Sequence, residues 1–175
     1  MLIRKATPQD LNDLCTLYKE VARISRGIAR LEHEVTDTYV KTIYEQTVQK
    51  GIMLVGIEPI TENVIAEIHA SKYSLEIFDH ILTNLTIVVK PMYQGQGLGK
   101  RLFQAFLDEV DTNWIDIGKI ELESRSSNQK SIGLYKSLGF VQEGTMKNKT
   151  HNMGGDYEDS LLFARIKPNF DFNKR

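Results

Sequence analysis

A strand that runs through alternating glycines into a helix is the feature that most constrains this chain. Residues 87–101 read IVVKPMYQGQGLGKR. Alternating glycines remove the Cβ atoms where a ligand must come close to the backbone. The start of the following helix adds unpaired N–H groups and the positive end of the helix dipole. The segment therefore predicts a seat for phosphate oxygens.

The spacing of this segment differs from the two commonest phosphate-binding motifs. A P-loop requires Gly where Gln94 stands and Ser or Thr where Arg101 stands. A dinucleotide fingerprint that starts at Gly95 requires a small residue at the position of Lys100. A tight strand–helix connection without a ligand is the alternative, but three alternating glycines followed by two cations favour the phosphate interpretation.

Two motifs together resemble those of a known family. The segment from Gln94 to Gly99 matches the Q/R-x-x-G-x-G/A signature of the GNAT N-acetyltransferase superfamily. The segment from Ser127 to Val141 resembles the family's N…A-x-x-L-Y-x-x-x-G-F block. Each motif alone is weak, and the pair is specific. The C-terminal half looks most similar to the subgroups that acetylate free amino acids or ribosomal-protein N-termini.

The resemblance implies an acyltransferase that uses acetyl-CoA as acetyl donor and needs no metal. The acceptor would be a primary amine of a small metabolite, an amino acid or a protein N-terminus, attacking directly in a ternary complex. In the family the glycine turn holds the pyrophosphate and the preceding strand pairs with pantetheine. Carried over by position, the expected cofactor-binding residues are Val88, Val89, Gln94, Gly95, Gln96, Gly97, Leu98, Gly99, Lys100, Asn128 and Tyr135.

Tyr135 is the expected general acid, because the family places this hydroxyl at the thioester sulfur. A phenol has a reference pKa near 10 and a thiol one near 8.5, so at neutral pH Tyr135 is a protonated donor. The alternative is that Tyr135 is only a core aromatic residue. Asn128 holds pantetheine in the family, but it can equally be a helix cap here.

The general base is less defined, because the predicted central strand over 83–89 contains no acid. Glu67 and His69 lie two residues apart on the neighbouring predicted strand and so share one face. Each can act as a base or orient a water molecule, and Glu67 is the second catalytic candidate. Two other interpretations are equally open: a polar pair at a sheet edge, or core groups whose hydrogen bonds are satisfied within the protein.

Other polar residues carry weaker hypotheses. Arg23, Arg26 and Arg30 lie between the first two predicted helices, where they either bind an acidic acceptor or form a solvated face. His33 and His151 are isolated, and no pair of histidines has the spacing of metal ligands. Cys15 falls on the apolar face of the first helix and is expected to be a small core residue.

Length, charge and apolar content limit the number of domains and the classes of protein to which the chain can belong. The chain has 175 residues, which predicts a single domain over 1–175. Its net charge of −1 argues against a general nucleic-acid binder. A single cysteine, a polar N-terminus and short apolar runs predict a soluble, cytoplasmic protein without a membrane partner.

The apolar periodicity predicts the element order β-α-α-β-β-β-α-β-α-β-β, a mixed α/β layer fold. The resemblance implies the GNAT fold, of the α+β (mixed α/β) class, with a central twisted mixed sheet of six to seven strands and about four flanking helices. Predicted elements include strands over 64–71 and 83–89, helices over 97–110 and 128–138, and closing strands at 140–141 and 161–166.

Two functional alternatives belong to other classes. One is a module of the same fold that senses acetyl-CoA without turnover, which an intact Tyr135 disfavours. The other is a nucleotide- or RNA-binding protein, which the glycine spacing and the net charge disfavour. The resemblance also implies a possible homodimer, since many relatives pair through a sheet edge or the C-terminal strands.

Overall fold

A computed structural model describes residues 1–24, 27–151 and 154–173 of the chain. In this part of the chain, seven strands and four α-helices follow one another in the predicted order. The strands are β1 Leu2–Lys5, β2 Gly51–Ile57, β3 Val64–Lys72, β4 Ile81–Val89, β5 Lys119–Arg125, β6 Val141–His151 and β7 Tyr157–Ile166. The helices are α1 Leu11–Ala22, α2 Asp37–Lys50, α3 Leu98–Asn113 and α4 Gln129–Ser137.

The strands form one mixed sheet in the order β1-β2-β3-β4-β5-β7-β6. β2 pairs antiparallel with β1 and with β3, and β7 pairs antiparallel with β5 and with β6. β4 and β5 are parallel, with Ile81 opposite Lys119. The predicted fold class, a mixed sheet of six to seven strands with about four helices, is confirmed.

The chain forms two compact units, which we call unit 1 and unit 2. Unit 1 comprises Met1–Ser71 and Thr86–Leu107, and unit 2 comprises Lys72–Leu85 and Asp108–Arg175.

The core of unit 1 is built on the apolar face of α1. Leu14, Leu17, Tyr18 and Val21 recur at helical spacing, and each is at most 2% exposed. They pack in one cluster with inner-face residues of β2 and with Val88 of β4. Both faces of β3 are buried from Val64 to Ser71, so the polar face predicted for this strand is also enclosed.

The core of unit 2 lies between β5, β7 and α4. Leu122 of β5 is opposite Phe163 of β7 in the register. The ring of Phe163 lies 6.1 Å from the ring of Tyr135, measured between centroids. Both aromatic residues are buried, which fixes the position of α4 on this part of the sheet.

The closing strands are longer than the sequence predicts. The sequence predicts strands at 140–141 and 161–166, whereas β6 spans Val141–His151 and β7 spans Tyr157–Ile166. Most residues of β6 are exposed, so its sequence lacks the apolar alternation that marks a half-buried strand. Its pairing with β7 is also interrupted by two register shifts.

Candidate functional site

The predicted phosphate seat is an exposed turn of unit 1 between β4 and α3. After β4 the chain makes a 3-10 turn at Pro91–Tyr93. The side-chain amide of Gln94 donates to the carbonyl oxygen of Val89 at 2.9 Å. The side-chain amide of Gln96 donates to the carbonyl oxygen of Met92 at 3.2 Å. The first bond ties the turn to the end of β4, and the second lies within the turn itself.

Two glycines of this turn have backbone angles that side chains rarely adopt. The angle φ is +78° at Gly95 and +77° at Gly97. A Cβ atom built at either position would have no heavy atom within 4 Å, so the space beside the backbone is open. At Gly99 a Cβ would lie 3.5 Å from Cγ2 of Val89. The first two glycines leave room for a ligand, and the third packs closely against the strand.

The start of α3 supplies donors beside this open space. The N–H of Arg101 bonds to the carbonyl oxygen of Gly97 at 3.1 Å. The amides at 98–100 precede this first bonded amide and have no carbonyl one turn back. Lys100 is exposed at the same end of the helix. Unpaired amides, the helix dipole and a cation together can bind phosphate oxygens.

Glu67 and His69 form a buried polar cluster with Tyr18, all within unit 1. The Tyr18 hydroxyl donates to Oε2 of Glu67 at 2.6 Å. Nδ1 of His69 lies 3.0 Å from Oε1 of Glu67 and 3.2 Å from the Tyr18 hydroxyl. The side chain of Glu67 is 0% exposed and that of His69 is 7% exposed. These residues are enclosed core groups, because β3 lies inside the sheet rather than at its edge.

The surroundings of Tyr18 keep the proton on its hydroxyl oxygen. Burial raises the pKa of Tyr18 well above its ordinary value, and the negative charge of Glu67 acts in the same direction. Tyr18 is therefore a neutral donor. When Nδ1 of His69 carries the ring hydrogen, it donates to Glu67 and leaves Nε2 as the acceptor. In that tautomer the lone pair of Nε2 is the one ring group of His69 that can receive a hydrogen bond.

Replacing Tyr18 by Phe tests this cluster, because the ring stays and only the hydroxyl is lost. We expect the free energy of unfolding to fall by about 1–3 kcal/mol, since a buried carboxylate oxygen loses its donor. Urea unfolding at neutral pH measures the change. Tyr44→Phe is the matched control, because the Tyr44 hydroxyl has no bond within the described residues. Equal losses in the two variants would contradict the interpretation.

The arginines between α1 and α2 have different partners. Arg23 donates through Nε to Oε1 of Glu32 at 2.8 Å. Cζ of Arg30 lies 3.9 Å from the centroid of the Tyr39 ring. Arg26 lies outside the described residues. An acid of the same loop therefore binds Arg23, whereas an aromatic face holds Arg30.

Tyr135 and Asn128 lie in unit 2. Tyr135 is 8% exposed and packs on the rings of Phe140 and Phe163. Burial raises the pKa of Tyr135, while a hydrogen bond with Ser131 acts in the opposite direction. The phenol is therefore a protonated donor at neutral pH. Oδ1 of Asn128 accepts from the Ser131 amide at 3.4 Å, so Asn128 caps α4.

One carboxylate of unit 2, Glu123 on β5, is not among the site residues predicted from the sequence. It accepts from the hydroxyl of Ser160 at 2.5 Å and from Nζ of Lys149 at 2.6 Å. Its side chain is 37% exposed. The signal that could have found it is the pair of acids, Glu121 and Glu123, two residues apart on one strand face.

Within residues 1–24, 27–151 and 154–173, no group of three or more His, Cys, Asp or Glu side chains could hold a metal ion. Cys15 is buried and donates to Oδ1 of Asp37 at 3.1 Å. Over the same residues, none of the helices combines the length and apolar character needed to cross a bilayer.

Comparison with known sequences places the chain among acetyltransferases. It matches the Acetyltransferase (GNAT) family over residues 25–140. It is 37% identical over 82 residues to the ribosomal protein bS18-alanine N-acetyltransferase of Escherichia coli strain K12, covering 47% of this chain and 53% of that protein. It is 37% identical over 71 residues to the N-alpha-acetyltransferase RimI of Mycobacterium tuberculosis, covering 41% and 42%. The chain thus spans about half the length of the curated relatives it matches.

Comparison with solved structures supports the same fold. A phosphinothricin acetyltransferase of the GNAT superfamily from Sinorhizobium meliloti, in complex with AcCoA, superposes with a TM-score of 0.83 at 20% identity, covering 95% of this chain and 88% of that one. The ribosomal-protein-S18-alanine N-acetyltransferase of Escherichia coli gives a TM-score of 0.76 at 22% identity, covering 99% and 98%. At these identities the likeness establishes the fold.

Proposed function

Because this chain belongs to the acetyltransferase (GNAT) family, we propose that it transfers the acetyl group of acetyl-CoA to a primary amine. The amine nitrogen attacks the thioester carbonyl, a C–N bond forms and the C–S bond breaks. The amine gives up one proton and the departing thiolate takes up one proton. The observation that carries the proposal is the glycine turn, which is open, rich in unpaired amides and placed directly after β4.

The cofactor contacts follow from this turn. The pyrophosphate of acetyl-CoA binds at Gly95, Gly97 and the first amides of α3, and pantetheine lies along Val88 and Val89. The remaining proposed contacts are Gln94, Gln96, Leu98, Gly99, Lys100, Asn128 and Tyr135. Gln94 and Gln96 act by shaping the turn, since their side chains bond to its backbone. The S. meliloti protein, described in complex with AcCoA, supports the choice of cofactor.

We assign the general acid to Tyr135. Its burial keeps the phenol protonated, and its packing on two aromatic rings holds the hydroxyl in one place. A phenol can donate to a departing thiolate because the thiolate is basic enough to take up the proton at neutral pH.

The proton of the amine passes to the cluster around Glu67. Because Glu67 is fully enclosed, it acts through His69 or a water molecule rather than by touching the amine. Glu123, which is partly exposed, is the rival. The value of kcat distinguishes them: it falls in Glu67→Gln and not in Glu123→Gln if the cluster accepts the proton, and the reverse holds if Glu123 does.

The acceptor is an amine of a small metabolite, an amino acid or a protein N-terminus. The names of the E. coli and M. tuberculosis relatives support a protein N-terminus.

We place the reaction in the cytoplasm, and we propose that two copies of the chain pair. The long outermost strand β6 supports pairing, and sedimentation measures the mass in solution.

Release of the CoA thiol in the presence of a panel of amines tests the proposed function. Amino acids, polyamines, and short peptides with Ala, Ser or Gly at the N-terminus are each mixed with acetyl-CoA and the protein. We expect at least one amine to stimulate thiol release, and mass spectrometry to find that amine heavier by one acetyl group. Acetyl-CoA binding without stimulation by any amine would instead identify a sensor module.

A further inference from the structure

An aromatic face holds the guanidinium group of Arg30 in the loop before α2. Cζ of Arg30 lies 3.9 Å from the centroid of the Tyr39 ring, and Arg30 is half-buried. A cation in this position is attracted by the negative face of the ring. The contact fixes the position of the charge and leaves N–H groups at the edge of the guanidinium able to donate.

Arg30 differs from arginines that serve the fold. Three arginines each form an ion pair with a carboxylate oxygen at 2.7 Å. The pairs are Arg4 with Asp10, Arg23 with Glu32, and Arg165 with Asp111. In the described part of the chain, no carboxylate bonds to Arg30. Its charge is therefore held in place but not neutralised, which is the condition of a group that binds an anionic ligand.

Contacts within unit 1 connect Arg30 to the polar cluster. The Tyr39 ring packs edge-on against the Tyr18 ring, with centroids 6.1 Å apart. The Tyr18 hydroxyl in turn donates to Glu67 at 2.6 Å. Tyr39 also packs against the core cluster that contains Val88, which precedes the glycine turn. Arg30 thus stands at the outer end of a continuous set of contacts that reaches the proposed proton acceptor.

We propose that Arg30 binds a carboxylate group of the acceptor amine and so determines acceptor specificity. The inference rests on the proposed function. A guanidinium donates two parallel N–H bonds to a carboxylate, a geometry that a lysine ammonium lacks. The Tyr39 ring positions the guanidinium in advance, which lowers the entropy cost of binding. The acceptor is therefore an amine that carries a carboxylate near the reacting nitrogen.

Two sources can supply this carboxylate, and paired acceptors separate them. In the first arm, an amino acid is compared with its own amide, which lacks the α-carboxylate. In the second arm, a C-terminally amidated tripeptide with Glu at its second position is compared with the same peptide carrying Gln. In each arm kcat/KM is measured for both members, and their ratio is compared between wild type and variants. This comparison cancels differences in amine basicity.

We expect wild type to prefer the acidic member in one arm, and Arg30→Gln to reduce that preference at least about tenfold. The loss should lie in KM for the acceptor, while KM for acetyl-CoA stays constant. Arg30→Lys should retain part of the preference, because it keeps the charge without the planar fork. Arg23→Gln is the matched control from the same loop, since Glu32 already occupies Arg23.

An undiminished preference in Arg30→Gln overturns the proposal, as does an equal loss in Arg23→Gln. A wild type that acetylates neutral and acidic members equally also overturns it, but leaves the proposed function standing. If no acceptor is turned over, the proposed function fails. Calorimetric titration of the acidic members into the CoA-loaded protein then still tests Arg30, because only a carboxylate site loses affinity in Arg30→Gln.

Discussion

Replacement of Tyr135 by Phe is expected to lower kcat for acetyl transfer by about a hundred- to ten-thousand-fold, the usual contribution of a positioned acid. The loss shrinks to about tenfold if a water molecule can take over the donation. Burial raises the pKa of Tyr135, so wild type keeps this proton throughout the neutral range. The variant should therefore also show a changed alkaline limb of the pH–rate profile. Steady-state kinetics with a saturating acceptor measure both effects.

Phe at position 135 keeps the ring contacts with Phe140 and Phe163. The Kd for acetyl-CoA and the unfolding midpoint should therefore stay close to those of wild type. A fall in cofactor affinity and stability together would mean that Tyr135 serves only packing. An unchanged kcat, under conditions where chemistry limits the rate, would remove Tyr135 from the mechanism.

Gly97→Glu is expected to abolish binding of acetyl-CoA. In wild type, a ligand at a hundred times its Kd stabilises the native state by about 2.7 kcal/mol. For a chain of this size, that corresponds to a rise in Tm of about 5–10 °C. The glutamate would occupy the open space beside the turn and set a negative charge against the pyrophosphate. Differential scanning fluorimetry with and without acetyl-CoA measures the rise.

The matched control is Gly155→Glu in unit 2. Gly155 has φ of +89°, and a Cβ atom there also meets no heavy atom within 4 Å. Both variants thus carry the same new charge and a similar backbone strain, of about 1–2 kcal/mol. Only Gly97→Glu should lose the rise in Tm. A full rise in Gly97→Glu would show that acetyl-CoA binds elsewhere.

The parts of the fold that could be predicted are those marked by residues within a single helix, strand or turn. The glycines at 95, 97 and 99 mark one turn, and the periodic apolar positions mark α1. Each signal lies within a single element and identifies that element without knowledge of its neighbours. The order of the elements, the fold class and the family resemblance are confirmed for this reason. The length of β6 was missed, because an exposed strand is stabilised by its partner β7 rather than by its own composition.

The properties of the candidate site that depend on distant partners could not be predicted. The sequence places Glu67 and His69 on one strand face, but it does not show that the Tyr18 hydroxyl lies within hydrogen-bond distance of both. Nor does it distinguish Arg23 from Arg30, which lie close together in the chain and differ in their partners and in their burial. Burial and pairing are decided when elements far apart in the chain pack together.

The bond between Tyr18 and Glu67 joins residues 49 positions apart, which has a consequence for the order of folding events. The hairpin of β2 and β3 closes over a short turn and can form early. Oε1 of Glu67 on this hairpin has a partner on its own strand, His69, but Oε2 gains its donor, the Tyr18 hydroxyl, only when α1 docks. We therefore expect α1 docking to belong to the rate-limiting barrier of unit 1. In stopped-flow experiments, Tyr18→Phe should then slow refolding more than it speeds unfolding.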